Sequence, residues 1–137
     1  DAGLILKKLE LFPSDVVIGL DQLSLPDARR EFKWKSLPTN NVQFAEPDFM
    51  PFDWGPIAFV FRQGEIEPPQ SLDDLLDVRF RQSITLQDPR TSSPGLQFLF
   101  WVLAEKGTEP GFEFLDRLRP SLQSITSSWS QSYGLFQ

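Results

Sequence analysis

The chain has 137 residues, a net charge of −6 and neither Cys nor His. That length suits one domain or a substantial part of a larger one, and thirteen Phe with four Trp supply apolar bulk for a core. The acidic balance argues against a general nucleic-acid binder and favours a cationic ligand, while the two absences remove disulfides, thiolates, the commonest general base and the commonest zinc ligand.

Leu4, Ile5, Leu6, Leu9 and Leu11, with Lys7, Lys8 and Glu10 between them, predict a short amphipathic helix closed by Phe12-Pro13-Ser14. Asp15-Val16-Val17-Ile18-Gly19-Leu20 reads as a buried strand, with Asp21 at its carboxyl end. Asp21 suits either a ligand contact or the cap of a helical turn over Pro26–Arg30. Arg29–Lys35 interleaves basic and aromatic residues; in an acidic chain it is expected to be a solvated segment rather than an anion-binding surface. Thr39–Met50 is polar and irregular, and Pro51–Pro56 reads as a shaped crossing. Ile57–Phe61 is expected as another buried strand. Ser71 then caps a short helix with Asp73 and Asp74 in its first turn, where acids favour the helix dipole; about 100° apart, they make a poor catalytic pair.

The central stretch is Ser83–Lys106. Ser83-Ile84-Thr85-Leu86 predicts a strand, Asp88–Gly95 has the composition of a turn, and Pro94 opens an apolar helix through Ala104. Free N–H groups, hydroxyls and a positive dipole end converge there, which suits an anion; equally, Ser92 or Ser93 simply caps the helix. Glu109-Pro110 starts a helix that Arg119-Pro120 breaks, and Leu122–Thr126 alternates like a strand. Ser127–Gly134 is a second hydroxyl-rich strand-to-helix turn, carrying Trp129 and Tyr133. This order predicts an α/β fold with parallel strand pairs. No apolar run is long enough to span a membrane.

Four blocks, Val16–Asp21, Pro51–Gly55, Gln87–Gly95 and Trp129–Phe136, resemble in order and spacing the periplasmic thiamine-binding proteins of bacterial ABC importers. The resemblance implies a type II periplasmic binding fold of two lobes, of which this chain is a middle portion. Residues 1–52 would be a remnant of the first lobe, 53–56 a hinge crossing and 57–137 most of the second lobe. It implies a solute receptor rather than an enzyme, located in the periplasm, with a signal peptide outside this chain. No cofactor or metal is expected; the ligand would be thiamine, thiamine monophosphate or thiamine diphosphate. The partners would be that solute and an ABC permease, with no nucleic acid and no membrane span.

Residue by residue, the family's acidic residue and following glycine match Asp1 and Ala2. Its ligand-binding turn matches Ser92 and Ser93, and the aromatic that packs on the ligand's cationic ring matches Trp129, with Tyr133 matching a further family residue. Three departures bear on which ligand is preferred: Trp54 in place of Tyr, Ser127-Ser128 in place of a Lys-Gly-like pair, and Gln131 in place of an acid. A receptor of the same fold for another oxyanion, a phosphonate or a ferric complex is the alternative. A transferase- or phosphatase-like enzyme fragment is a third reading, disfavoured by the missing His and Cys.

Overall fold

The structure is a computed structural model that describes residues 2–38, 43 and 46–137. Its helices are α1 (Ala2–Leu11), α2 (Leu25–Glu31), α3 (Ser93–Lys106), α4 (Thr108–Leu118) and α5 (Trp129–Phe136). Its strands are β1 (Ile84–Gln87) and β2 (Leu122–Thr126), and 3-10 turns occupy Gln22–Ser24, Asp73–Leu76, Val78–Phe80 and Arg119–Ser121.

The two strands run parallel, pairing Ile84 with Leu122 and Gln87 with Thr126, with a register shift after Ile84. Parallel neighbours need a long crossover, and α3 and α4 supply it. The apolar face of α4 places Phe114 and Leu118, four residues apart, against Phe98 and Val102 of α3. Leu72 and Leu75, from the segment before β1, complete that buried cluster. Each such side chain contributes roughly 1.5–3 kcal/mol by leaving water. The parallel order expected from the sequence is therefore present, built on one core from residue 72 onward.

Two expected strands are absent. Asp15–Leu20 and Ile57–Phe61 are irregular, because the strand ladder among the described residues is that between β1 and β2 and offers neither segment backbone partners. Val16 is 76 % exposed and Val60 73 %. Gly19, at φ +97°, also lies outside the range of strand backbone. From the second segment Phe59 still seats on α3, its ring 6.3 Å from Phe98 and 5.6 Å from Trp101.

The basic and aromatic run around α2 keeps its charged side chains exposed, as expected, while Phe32 and Trp34 are half-buried. Arg29 pairs with Glu46 and lies 5.1 Å over the Phe49 ring. Trp34 packs 5.2 Å from Phe49 and donates its indole N–H to the Ala28 carbonyl at 2.9 Å. The aromatics find each other, so the segment is solvated on its charged side and packed on its aromatic side.

Candidate functional site at the carboxyl end of the parallel strands

β1 and β2 finish side by side, where Asp88 N–H donates to the Thr126 carbonyl at 2.8 Å. Each strand then feeds a helix start, α3 after the first and α5 after the second. Parallel α/β sheets place ligands at this end, because helix N-termini and their unpaired N–H groups collect there.

The first turn is held by its backbone. The Asp88 carbonyl accepts from Thr91 N–H at 3.1 Å and Ser92 N–H at 3.0 Å. The Asp88 carboxylate accepts from Arg90 N–H at 2.9 Å and from its guanidinium at 3.0 and 2.6 Å. Those hydrogen bonds from Arg90 hold the Asp88 carboxyl down to about 2. Gly95 lies against the end of β1: a Cβ there would run into the Gln87 carbonyl and come within 2.9 Å of the Asp88 carbonyl carbon. Only glycine lets the helix start approach so closely.

The two serines separate in role. Ser92 stands at the N-cap position of α3, yet its side chain makes no cap bond. It is 3 % exposed, and its hydroxyl donates to the Gln87 amide oxygen. Ser93 is half-buried and lies beside Asp21 of the first segment. Burial pushes the Asp21 carboxyl up, but the Ser24 and Ser93 hydroxyls and the Ser24 and Leu23 N–H groups outweigh it and hold the carboxyl below its usual range. Asp21 itself caps the 3-10 turn at Gln22–Ser24, accepting from Ser24 N–H at 2.9 Å.

The second turn is held by side chains. Ser128 caps α5 by accepting from Gln131 N–H at 3.4 Å. The Gln131 amide oxygen accepts in return from Ser127 N–H at 3.1 Å and its hydroxyl at 3.0 Å. This reciprocal arrangement resembles a capping box, so Gln131 serves the helix start. Beneath it, the Thr126 and Ser132 hydroxyls share a hydrogen bond of 2.6 Å. The turns are joined directly, since the Thr91 hydroxyl donates to the Ser127 carbonyl at 2.9 Å.

Trp129 opens α5 and is 57 % exposed; Tyr133, one turn later, is 45 % exposed. Their rings stack in parallel, 5.0 Å between centroids and 7° between planes. A cleft of about 890 Å³ reaches this end of the sheet, bordered by Gln87, Pro94, Gly95, Trp129, Ser132 and Tyr133. The structure therefore brings Ser92, Ser93, Trp129 and Tyr133 to one end of one sheet. Ala2 begins α1, and Asp1 lies outside the described residues. Sequence reasoning missed Gln87 and Thr91, although both sit in or beside the turn it singled out.

A helix start and an exposed indole face together suit a small ligand that carries a flat cation and an anionic group. The Ser93 hydroxyl at that helix start is engaged by the Asp21 carboxylate. Asp73 and Asp74 are occupied elsewhere: Asp73 pairs with Lys106 at 2.8 Å, and Asp74 accepts from Gln70 N–H at 2.7 Å. Among the described residues no group of three His, Cys, Asp or Glu side chains is placed to hold a metal ion. No helix among them is long and apolar enough to cross a membrane.

A family model described as "Bacterial extracellular solute-binding protein" matches residues 9–134. The thiamine-binding periplasmic protein of Brucella abortus is 35 % identical over 147 residues, covering 99 % of this chain and 44 % of that protein. The protein of that name from Escherichia coli is 34 % identical over 130 residues, covering 90 % of this chain and 39 % of the relative. A solved structure, "Periplasmic thiamin binding protein", superposes with a TM-score of 0.75 at 28 % identity, covering 99 % of this chain and 46 % of its own. The chain thus spans less than half the length of each of these relatives.

Proposed function

This chain belongs to the family of bacterial extracellular solute-binding proteins, and we propose that it forms part of a receptor for thiamine or its phosphates in an ABC importer. Its fold is α/β, of the type II periplasmic binding kind. In this reading residues 1–52 are a remnant of the first lobe, 53–56 a hinge crossing and 57–137 most of the second lobe. The protein binds its solute and passes it unchanged to a membrane permease, in the periplasm, the compartment named for its relatives.

The observation that carries the proposal is the juxtaposition of two strand-to-helix turns, bridged from Thr91 to Ser127, with a hydroxyl on one and an exposed indole on the other. Thiamine is a flat thiazolium cation bearing a hydroxyethyl arm, which its phosphate esters make anionic. The Trp129 face attracts the cation by roughly 0.5–2 kcal/mol. The start of α3 favours a phosphate by about 0.3–1 kcal/mol, and the Ser93 hydroxyl adds a hydrogen bond once it exchanges the Asp21 carboxylate for the ligand. Ser92, with its hydroxyl on Gln87, serves by fixing the turn. Asp1 and Ala2 complete the set of residues assigned to ligand contact, and Tyr133 stands behind Trp129 in its stack. Micromolar binding needs roughly 8 kcal/mol, so most affinity comes from enclosure between two lobes.

Calorimetry on the full-length protein with thiamine, its monophosphate and its diphosphate tests the proposal. Binding of at least one is expected, weakened roughly 2- to 30-fold by Trp129→Ala. Unchanged affinity in that variant removes Trp129 from the site. Binding of a phosphonate or a ferric complex, with none of thiamine in any form, replaces the ligand class.

A further inference from the structure

Tyr133 is the least explained of the residues at this end of the sheet. It sits one helical turn after Trp129, and the two rings are parallel within 7° at a centroid separation of 5.0 Å. Offset stacking of this kind covers one face of the indole and leaves the other. Trp129 is nevertheless 57 % exposed, so its uncovered face and edge meet solvent. The Tyr133 hydroxyl turns to the far end of the helix, where it accepts from the Gln137 side-chain amide at 3.1 Å.

A free Trp on the first turn of a helix samples several rotamers, and a ligand that stacks on it must first select one. Tyr133 removes that freedom before any ligand arrives. The helix beneath is itself fixed, by the Ser128 cap, the Gln131 return bond and the Thr126–Ser132 hydroxyl pair. We propose that Tyr133 is a positioning residue: it holds the Trp129 indole in one orientation, so that a flat organic cation stacks on the single face Tyr133 leaves open. The ring does this work and the hydroxyl is dispensable. This rests on Trp129 being the ligand's platform, and it gives the site a specificity that exposure alone does not. A planar aromatic cation gains from a fixed face, whereas a spherical ammonium gains little.

The test uses the full-length protein, with thiamine as probe and three variants, Tyr133→Phe, Tyr133→Leu and Trp129→Leu, together with the Tyr133→Leu/Trp129→Leu double variant. Tyr133→Phe is expected to bind within about twofold of the parent, and Tyr133→Leu roughly 2- to 10-fold more weakly. The double variant should bind like Trp129→Leu alone, because Tyr133 acts through the indole. Additive losses would mean that Tyr133 touches the ligand itself and would overturn the positioning role, as would full affinity in Tyr133→Leu. Should the parent bind no form of thiamine, the receptor reading fails, and the ligand-free protein still decides the positioning role. The Trp129 χ1 rotamer, read from side-chain couplings, should be single in the parent and in Tyr133→Phe and averaged in Tyr133→Leu; a single unchanged rotamer in Tyr133→Leu rejects it.

Discussion

The two strand-to-helix turns of the candidate site are held by different means. After β1, the turn is set by backbone: two N–H groups on the Asp88 carbonyl, a buried Ser92 and a glycine pressed on the strand end. After β2, the turn is set by side chains at the surface, with Ser128, Gln131 and Ser127 capping one another. The difference assigns the turns different work. A backbone-set turn presents hydroxyl and dipole at a fixed place, which suits a small anionic group. A side-chain-set turn lets its helix carry large exposed rings without a matching core beneath them.

The largest effect should come from breaking the backbone-set turn at Gly95. Gly95→Ala is expected to destabilise the full-length protein by roughly 1–3 kcal/mol and to weaken ligand binding, since the new methyl must displace the Gln87–Asp88 backbone. Gly134→Ala, in α5, is the control. A Cβ there meets nothing within 4 Å, so the same change should stabilise by about 0.5–1 kcal/mol. Urea denaturation of both variants checks the pair; equal effects at the two positions would erase the contrast.

Hydroxyl removal sharpens it further. Ser92→Ala leaves the Gln87 amide oxygen without its donor in a part-buried setting, at a cost of about 1–3 kcal/mol. Ser128→Ala removes an exposed cap and should cost about 0.5–2 kcal/mol. Thermal melts of the two proteins should rank them in that order. The reverse ranking would place the more critical hydroxyl in the second turn.

The smallest effect is the response to acid. Asp88 is held at about 2 by Arg90, below its ordinary 3.8. Its contribution is therefore complete above pH 3.8 and is lost as the pH falls from there through about 2. Arg90→Ala should move acid unfolding to higher pH, towards 3.8, in a circular dichroism titration. An unmoved transition would mean that the ion pair does not couple to the fold.

Much of this was legible in the residues. β1, α3, α4, β2 and α5 each follow from short-range signals: an apolar run, Pro94 in the first helical turn, an amphipathic repeat broken at Pro120, an alternation, a Ser-rich helix start. Two of the four blocks that pointed to the family, Gln87–Gly95 and Trp129–Phe136, are in these segments too, while Val16–Asp21 and Pro51–Gly55 lie in irregular chain. Asp15–Leu20 and Ile57–Phe61 were misread for a physical reason. Apolar β-branched residues report that a segment is suited to a ladder, and the ladder itself needs a neighbour that composition does not reveal.

What the sequence determined by itself was therefore a set of parts that includes β1 and β2, two hydroxyl-rich turns at their carboxyl ends and aromatics on the second, together with two strands that do not form. Tertiary structure decided how the parts are used. It turned Ser92 inward onto Gln87, set Ser93 against Asp21, and bridged the turns through Thr91. Each depends on which element comes to lie beside the turn, which residue order does not encode separately from the packing. The Ser128–Gln131 cap and the Trp129–Tyr133 stack, by contrast, are spacings of three and four residues on one helix and follow from residue order.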